Sequence, residues 1–242
     1  MTDDRKTIFS FKKFSLSNWR SPMKVGTDGV LLGAWAGREC ASKCPRRVLD
    51  VGTGTGVIAL MMAQHFDNTL IDAVDISPEA FDEARENFGN SQWSARLRAF
   101  HGDFLALKEG VSYDLIVSNP PFFAEKVRCT DAARERARRD EALPLSRLVS
   151  HASKLLAPEG NLALILPSNR IGDLEETAAF AGLSVVILTK VSSRADKDAS
   201  RMMVLLSKIS QPRRVSQLAI RDSSGNFTDD YRRLLKDFYL EF

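Results

Sequence analysis

Cysteine and histidine are scarce. Cys40, Cys44 and Cys129 are odd in number, and His65, His101 and His151 are scattered, so neither a disulfide framework nor a zinc-ligand spacing reads out. Free thiols suit a reducing compartment, and the expected location is cytoplasmic. No apolar run approaches the roughly 20 residues that span a bilayer, and Met1 to Lys6 is too polar for a signal peptide. Neither a membrane nor a metal is therefore expected as a partner. Charge of one sign is also lacking: 34 Lys and Arg against 31 Asp and Glu leave +3. The distribution is less even, since residues 1–24 carry +4, residues 190–221 carry +6 and the remainder −7. Such separation suits a phosphate-facing rim around an acidic body, and equally a set of solvated charged faces.

The 242 residues, 44% of them apolar, are enough for one large globular domain with a short appendage. From Val48 onward, short apolar runs rich in β-branched residues alternate with helical patterns, as in βαβ units around a parallel sheet. Strands are expected at Arg47 to Val51, Leu70 to Asp75, Arg96 to His101, Leu115 to Ser118, Asn161 to Leu166, Ser184 to Thr189 and Met202 to Lys208. Helices are expected at Val57 to Gln64, Pro78 to Phe88, Pro144 to Leu156 and between Gly172 and Ala181, with Ser77 as an N-cap before Pro78. The fold expected is α/β: a doubly wound, mostly parallel, seven-stranded sheet whose last two strands form an antiparallel hairpin at one edge. Residues 1–46 read as an N-terminal extension packed on a core of residues 47–242, because Phe9, Phe11, Phe14, Trp19 and Trp35 are too apolar for a disordered tail.

Asp50-Val51-Gly52-Thr53-Gly54-Thr55-Gly56 leaves a strand, turns on three glycines and enters a helix, which places a ligand at the carboxyl edge of the sheet. A dinucleotide fingerprint would have glycine where Val57 stands, and the Gly-Lys-Ser/Thr of a Walker loop is absent. Asp75 ends the second strand 19 residues after Gly56, where a carboxylate can accept from two ribose hydroxyls. Asp103 and Phe104 follow the third strand and offer an acceptor and an apolar face to an adenine ring. Singly, each carboxylate reads as a helix cap or a loop charge. Together they describe an adenosine pocket without a phosphate clamp.

Ser118-Asn119-Pro120-Pro121-Phe122-Phe123 follows another apolar strand at the same edge. Paired prolines fix φ near −65° and stiffen the backbone where the strand stops. Taken in isolation, the segment reads as a strand terminator followed by a loop.

The glycine loop with its strand-end acids resembles the class I S-adenosylmethionine-dependent methyltransferases, from about Val48 to Lys208. The Asn119 to Phe122 segment looks like the Asn-Pro-Pro-Tyr/Phe motif of those acting on planar amino nitrogens. That motif leaves adenine, cytosine, guanine and protein glutamine open. Met23 to Ala36, Asp72 to Asp75, Arg134, Ala137-Arg138, Leu218 to Arg221 and Phe238 to Leu240 resemble the bacterial tRNA adenine-N6 methyltransferases that modify the adenine beside the anticodon of valine tRNA. The resemblance implies S-adenosyl-L-methionine as cofactor, S-adenosyl-L-homocysteine as product, a tRNA substrate and a monomer. It implies Asn119, Pro120, Pro121 and Phe122 as the catalytic set. Cofactor contacts are expected from Asp50, Gly52, Thr53, Gly54, Gly56, Asp75, Ile76, Asp103, Phe104, Asn119, Lys24, Thr27 and Asp28. RNA contacts are expected from Lys126, Arg128, Arg134, Arg138, Arg194, Lys197, Arg213 and Arg214. The other readings are methylation of a ribosomal guanine or a release-factor glutamine, and a non-catalytic RNA-binding module.

Overall fold

A computed structural model describes residues 7–121 and 143–242. Its main sheet has eight strands: β3 (Arg47–Val51), β4 (Leu70–Asp75), β5 (Leu97–His101), β6 (Tyr113–Ser118), β7 (Leu156–Pro167), β8 (Ser184–Arg194), β9 (Arg201–Ser207) and β10 (Arg214–Arg221). Their order is β10-β8-β9-β7-β6-β3-β4-β5, and only β9 runs against its neighbours. The expected seven strands are thus corrected to eight. The β8-β9 hairpin lies inside the sheet, because β10 pairs in parallel with β8 and takes the edge. Only Leu218 is buried in β10, so this strand lacks the apolar alternation by which a strand is recognised in sequence.

The strands alternate faces with period two. Val48, Ile71, Ala73, Leu115 and Val117 point into one core, and Leu49, Val51, Val74, Ile116 and Leu164 into the other. The first core is covered by α1 (Thr27–Cys40), α2 (Val57–His65), α3 (Pro78–Gly89) and the C-terminal α6 (Asp229–Leu235). The second is covered by α4 (Leu145–Leu155) and α5 (Ile171–Phe180). A separate hairpin, β1 (Ile8–Ser10) with β2 (Ser15–Ser17), sits against the C-terminus, where Lys12 N donates to Phe238 O at 2.8 Å and Phe11 stacks on Tyr239.

Much of the N-terminal region is built into the core. Trp35 is fully buried, and its Nε1 donates to Thr189 Oγ1 on β8 at 3.0 Å. Gly29, Gly33 and Gly37 line up at four-residue spacing on α1, and a Cβ on Gly33 would stand 2.7 Å from Met61 Sδ. A Cβ on Gly37 would stand 2.0 Å from His65 Cδ2. Helices α1 and α2 therefore approach through hydrogen atoms at these two positions.

Gly37→Ala should lower the melting temperature, because overpacking costs about 1–3 kcal/mol and exceeds the gain in helix propensity of about 1 kcal/mol. Gly33→Ala presses on the flexible end of a methionine, so its loss should be smaller. Thermal denaturation of both variants checks the order, and a larger loss at Gly33 would contradict this packing.

Candidate active site

Parallel pairing sets the site's geometry. Strand β3 lies between β4 and β6, with Val51 opposite Val74 on one side and Ser118 on the other. The chain leaves all three strands at one edge, and Ser118 Oγ ties β6 to β3 there by donating to Val51 O at 2.8 Å. The glycine loop turns at that edge with Gly54 at φ 57° and Gly56 at φ 83°, a backbone region unfavourable to side chains. A Cβ on Gly56 would also stand 2.5 Å from the Phe88 ring.

Asp75 holds this loop. Its Oδ2 accepts from Gly54 N and its Oδ1 from Ser77 N, each at 2.9 Å. Asp75 also lines the space above the loop. Asp103 Oδ1 accepts from Leu105 N at 2.9 Å and caps the short turn carrying Phe104. Phe104 is buried and meets His151 edge-on.

Between these groups lies a cavity of about 570 Å³. Of the residues expected at the cofactor, Lys24, Gly52, Gly54, Asp75, Ile76, Asp103, Phe104 and Asn119 line it, and so does Pro121 of the expected catalytic set. Asp50, Thr53, Gly56, Thr27, Asp28 and Pro120 are not among its lining residues. Asp50 is instead fully buried beneath the loop, where its Oδ2 accepts from Thr53 Oγ1 at 2.6 Å and Ala59 N at 3.2 Å. Asp28 pairs with Arg201 at 2.9 Å. Asp50 thus supports the loop from below, and Asp28 meets a cation. Phe122, Lys126, Arg128, Arg134 and Arg138 lie outside the described residues.

The C-terminal basic residues are also sorted by the structure. Arg194 pairs with Asp196 at 3.0 Å, Arg213 with Glu175 at 2.6 Å, and Arg214 with Glu39. Lys197 instead lines a second recess of about 560 Å³ with Lys190, Gln217, Leu188, Met202 and Asp198.

Part of the cavity wall comes from residues outside the expected set. Ser21, Pro22 and Met23 belong to a strap joining β2 to α1, and they line the cavity beside Lys24. Its anchors, Glu83 and Asn87, are buried on α3. A signal for them does exist: they fall on the same stripe as Ala80, Ala84 and Phe88, polar residues at core positions of an amphipathic helix.

The methyltransferase small domain family matches residues 38–176. The tRNA1(Val) (adenine(37)-N6)-methyltransferase of Christiangramia forsetii is 40% identical over 237 residues, covering 96% of this chain and 98% of that one. The protein of the same name from Serratia proteamaculans is 42% identical over 241 residues, covering 98% and 91%. Among solved structures, a predicted O-methyltransferase from Agrobacterium tumefaciens superposes with a TM-score of 0.68 at 19% identity, covering 87% of this chain and 96% of that one. That likeness concerns the fold.

Burial pushes the Asp50 carboxyl up to about 7 against the lowering effect of its two hydrogen bonds, and the Asp75 charge raises it further. The folded protein thus keeps a proton that the unfolded chain releases near 3.8, so the stability linked to this group is lost as pH rises through about 7. Asp50→Asn should flatten the decline in melting temperature between about pH 5 and about pH 8. An equally steep decline in the variant would contradict the assignment.

Proposed function

The chain belongs to the methyltransferase small domain family, together with the curated tRNA1(Val) (adenine(37)-N6)-methyltransferases, and we propose that it methylates N6 of an anticodon-loop adenine in tRNA. The observation that carries this reading is that Asn119, Asp75 and the glycine loop line one cavity. Its donor set fits S-adenosylmethionine: the Asp75 and Asp103 carboxylates suit hydroxyls and an amine, and Ile76 and Phe104 give apolar contact to a purine. Gly52 and Gly54 let the backbone come close. When bound, this cofactor supplies a methyl group on a positively charged sulfur.

The remaining chemistry falls to the strand end after β6. The N6 lone pair of adenine is delocalised into its ring, so the amine is a weak nucleophile. In this reading, the Asn119 side-chain oxygen and the Pro120 carbonyl accept its two hydrogens and hold the nitrogen pyramidal, with the lone pair facing the methyl group. Positive charge grows on the nitrogen as the new bond forms at the expense of the methyl–sulfur bond, so fixed carbonyl dipoles stabilise the transition state more than the ground state, and the nitrogen then gives one of its protons to water. Pro120 and Pro121 keep those dipoles from turning away. An adenine in a single-stranded loop is splayed out more readily than one in a duplex.

The same edge offers a path for the RNA. Asp28 follows the first residue of α1 and pairs with Arg201 at the start of β9, and Met202 next to it lines the second recess. Lys190 and Lys197 there outnumber Asp198, and neither lysine forms an ion pair within 4.0 Å among the described residues.

Incubating tRNA with the enzyme and methyl-labelled cofactor, then digesting to nucleosides, should give N6-methyladenosine. Label in N2-methylguanosine, or none in RNA, would overturn the reading. Asn119→Ala should slow single-turnover transfer by about 10²–10³-fold, the scale of losing one preorganised polar group. A near wild-type rate would remove Asn119 from the reacting end.

Phosphate contacts release counterions, so tRNA affinity should fall at least about 10-fold between about 50 and 200 mM salt. Lys190→Glu with Lys197→Glu should weaken tRNA binding and reduce that slope, leaving cofactor affinity as in the wild type. Fluorescence anisotropy with labelled tRNA measures both, and an unchanged slope would place the RNA elsewhere.

A further inference from the structure

Glu83 is an acid in an apolar place. It lies on the core-facing stripe of α3 and is fully buried, yet it forms no ion pair within 4.0 Å among the described residues. Its partners are three consecutive backbone amides of the strap. Oε1 accepts from Trp19 N at 2.7 Å and Arg20 N at 3.0 Å, and Oε2 accepts from Ser21 N at 2.8 Å. One helical turn on, Asn87 Oδ1 accepts from Ser17 N at 2.7 Å, while its Nδ2 donates to Ser17 O at 3.0 Å and Thr55 O at 2.8 Å. Thr55 belongs to the glycine loop. The two side chains thus fasten the strap to α3, and Asn87 also fastens that helix to the loop.

Three successive N–H groups converge on one carboxylate only where the backbone curls around it. That curl carries Ser21 and Met23 to the glycine loop: Ser21 Oγ lies 3.5 Å and Met23 O 3.7 Å from the point where a Cβ on Gly54 would be. It places Ser21, Pro22, Met23 and Lys24 in the cavity wall. The strap then closes on itself, with Val25 N donating to Asn18 Oδ1 at 2.9 Å, and leads into α1, where a Cβ on Gly29 would stand 3.8 Å from Asn119 Nδ2. Arg20 adds a surface pair to Glu86 of α3 at 2.9 Å. A buried carboxylate is costly unless its hydrogen bonds are made, and Glu83 makes them only with the strap in this shape.

We propose that Glu83 and Asn87 are positioning residues that hold the strap as a wall of the cofactor cavity, and so set cofactor affinity while leaving the methyl-transfer step to the Asn119 end. The inference rests on reading that cavity as the S-adenosylmethionine site. Glu83→Gln keeps the shape of the side chain but sets an amide donor against one of the strap N–H groups. Its Kd for S-adenosylmethionine should rise about 10- to 100-fold, the scale of losing one charged hydrogen bond. The single-turnover rate at saturating cofactor should stay within about twofold, because no bond to Asn119 is removed. Asn18→Ala loosens the strap from outside the core and should raise Kd about 3- to 10-fold, which keeps the proposal testable if Glu83→Gln does not fold.

Isothermal titration calorimetry with S-adenosylmethionine and quenched-flow transfer assays on the full chain give the two readouts. Asp75→Ala serves as the control for the cavity itself. If Asp75→Ala binds cofactor like the wild type, the cavity is not the cofactor site and the reading beneath the proposal fails. If Asp75→Ala loses binding while folded Glu83→Gln retains wild-type Kd, the positioning role fails alone. A reduced transfer rate with unchanged Kd in either strap variant would overturn it as well. If Glu83→Gln does not fold, an unchanged Kd in Asn18→Ala has the same effect.

Discussion

Parallel pairing of β3 with β4 and β6 is the constraint on which the site depends. Parallel strands end at one edge, so the residues after Val51, Asp75 and Ser118 must share a neighbourhood whatever their separation in sequence. The chain then has to close that edge without filling it. It does so with glycines that turn tightly, a carboxylate that braces them through backbone N–H groups, and prolines that end β6 stiffly. Each device leaves polar atoms facing a common space.

The carboxylates at this edge are chemically alike and structurally distinct. Asp50 is sealed beneath the loop, and burial favours its neutral form. Asp75 and Asp103 accept from backbone N–H groups and stand in the cavity wall. Glu83 spends its buried carboxylate on a strap remote in sequence. A carboxylate therefore supports the loop, lines the cavity or ties down a wall, according to where the fold places it.

The strands and helices of the central domain were largely legible because each carries its own local period. Arg47–Val51 and Leu70–Asp75 coincide with their expected bounds, and Ser77 caps α3 by accepting from Ala80 N as its position before Pro78 suggests. Edge strand β10 was not legible, since a strand buried at one residue has no alternation to show. Helix α1 is buried along much of its length, and Gly33 and Gly37 on it are places where α2 packs close.

By itself the sequence determined most of the order of the elements, the sheet edge at which the cavity lies, and the residue types that meet there, since strand period, glycine turns and proline stops are local features of the chain. The tertiary structure alone decided which acids line the cavity, which basic residues are already paired, and that Ser21, Pro22 and Met23 join Lys24 in its wall. Those outcomes follow from hydrogen bonds and ion pairs between residues far apart in sequence, such as Ser21 with Glu83 or Arg214 with Glu39, and no local pattern encodes such partners.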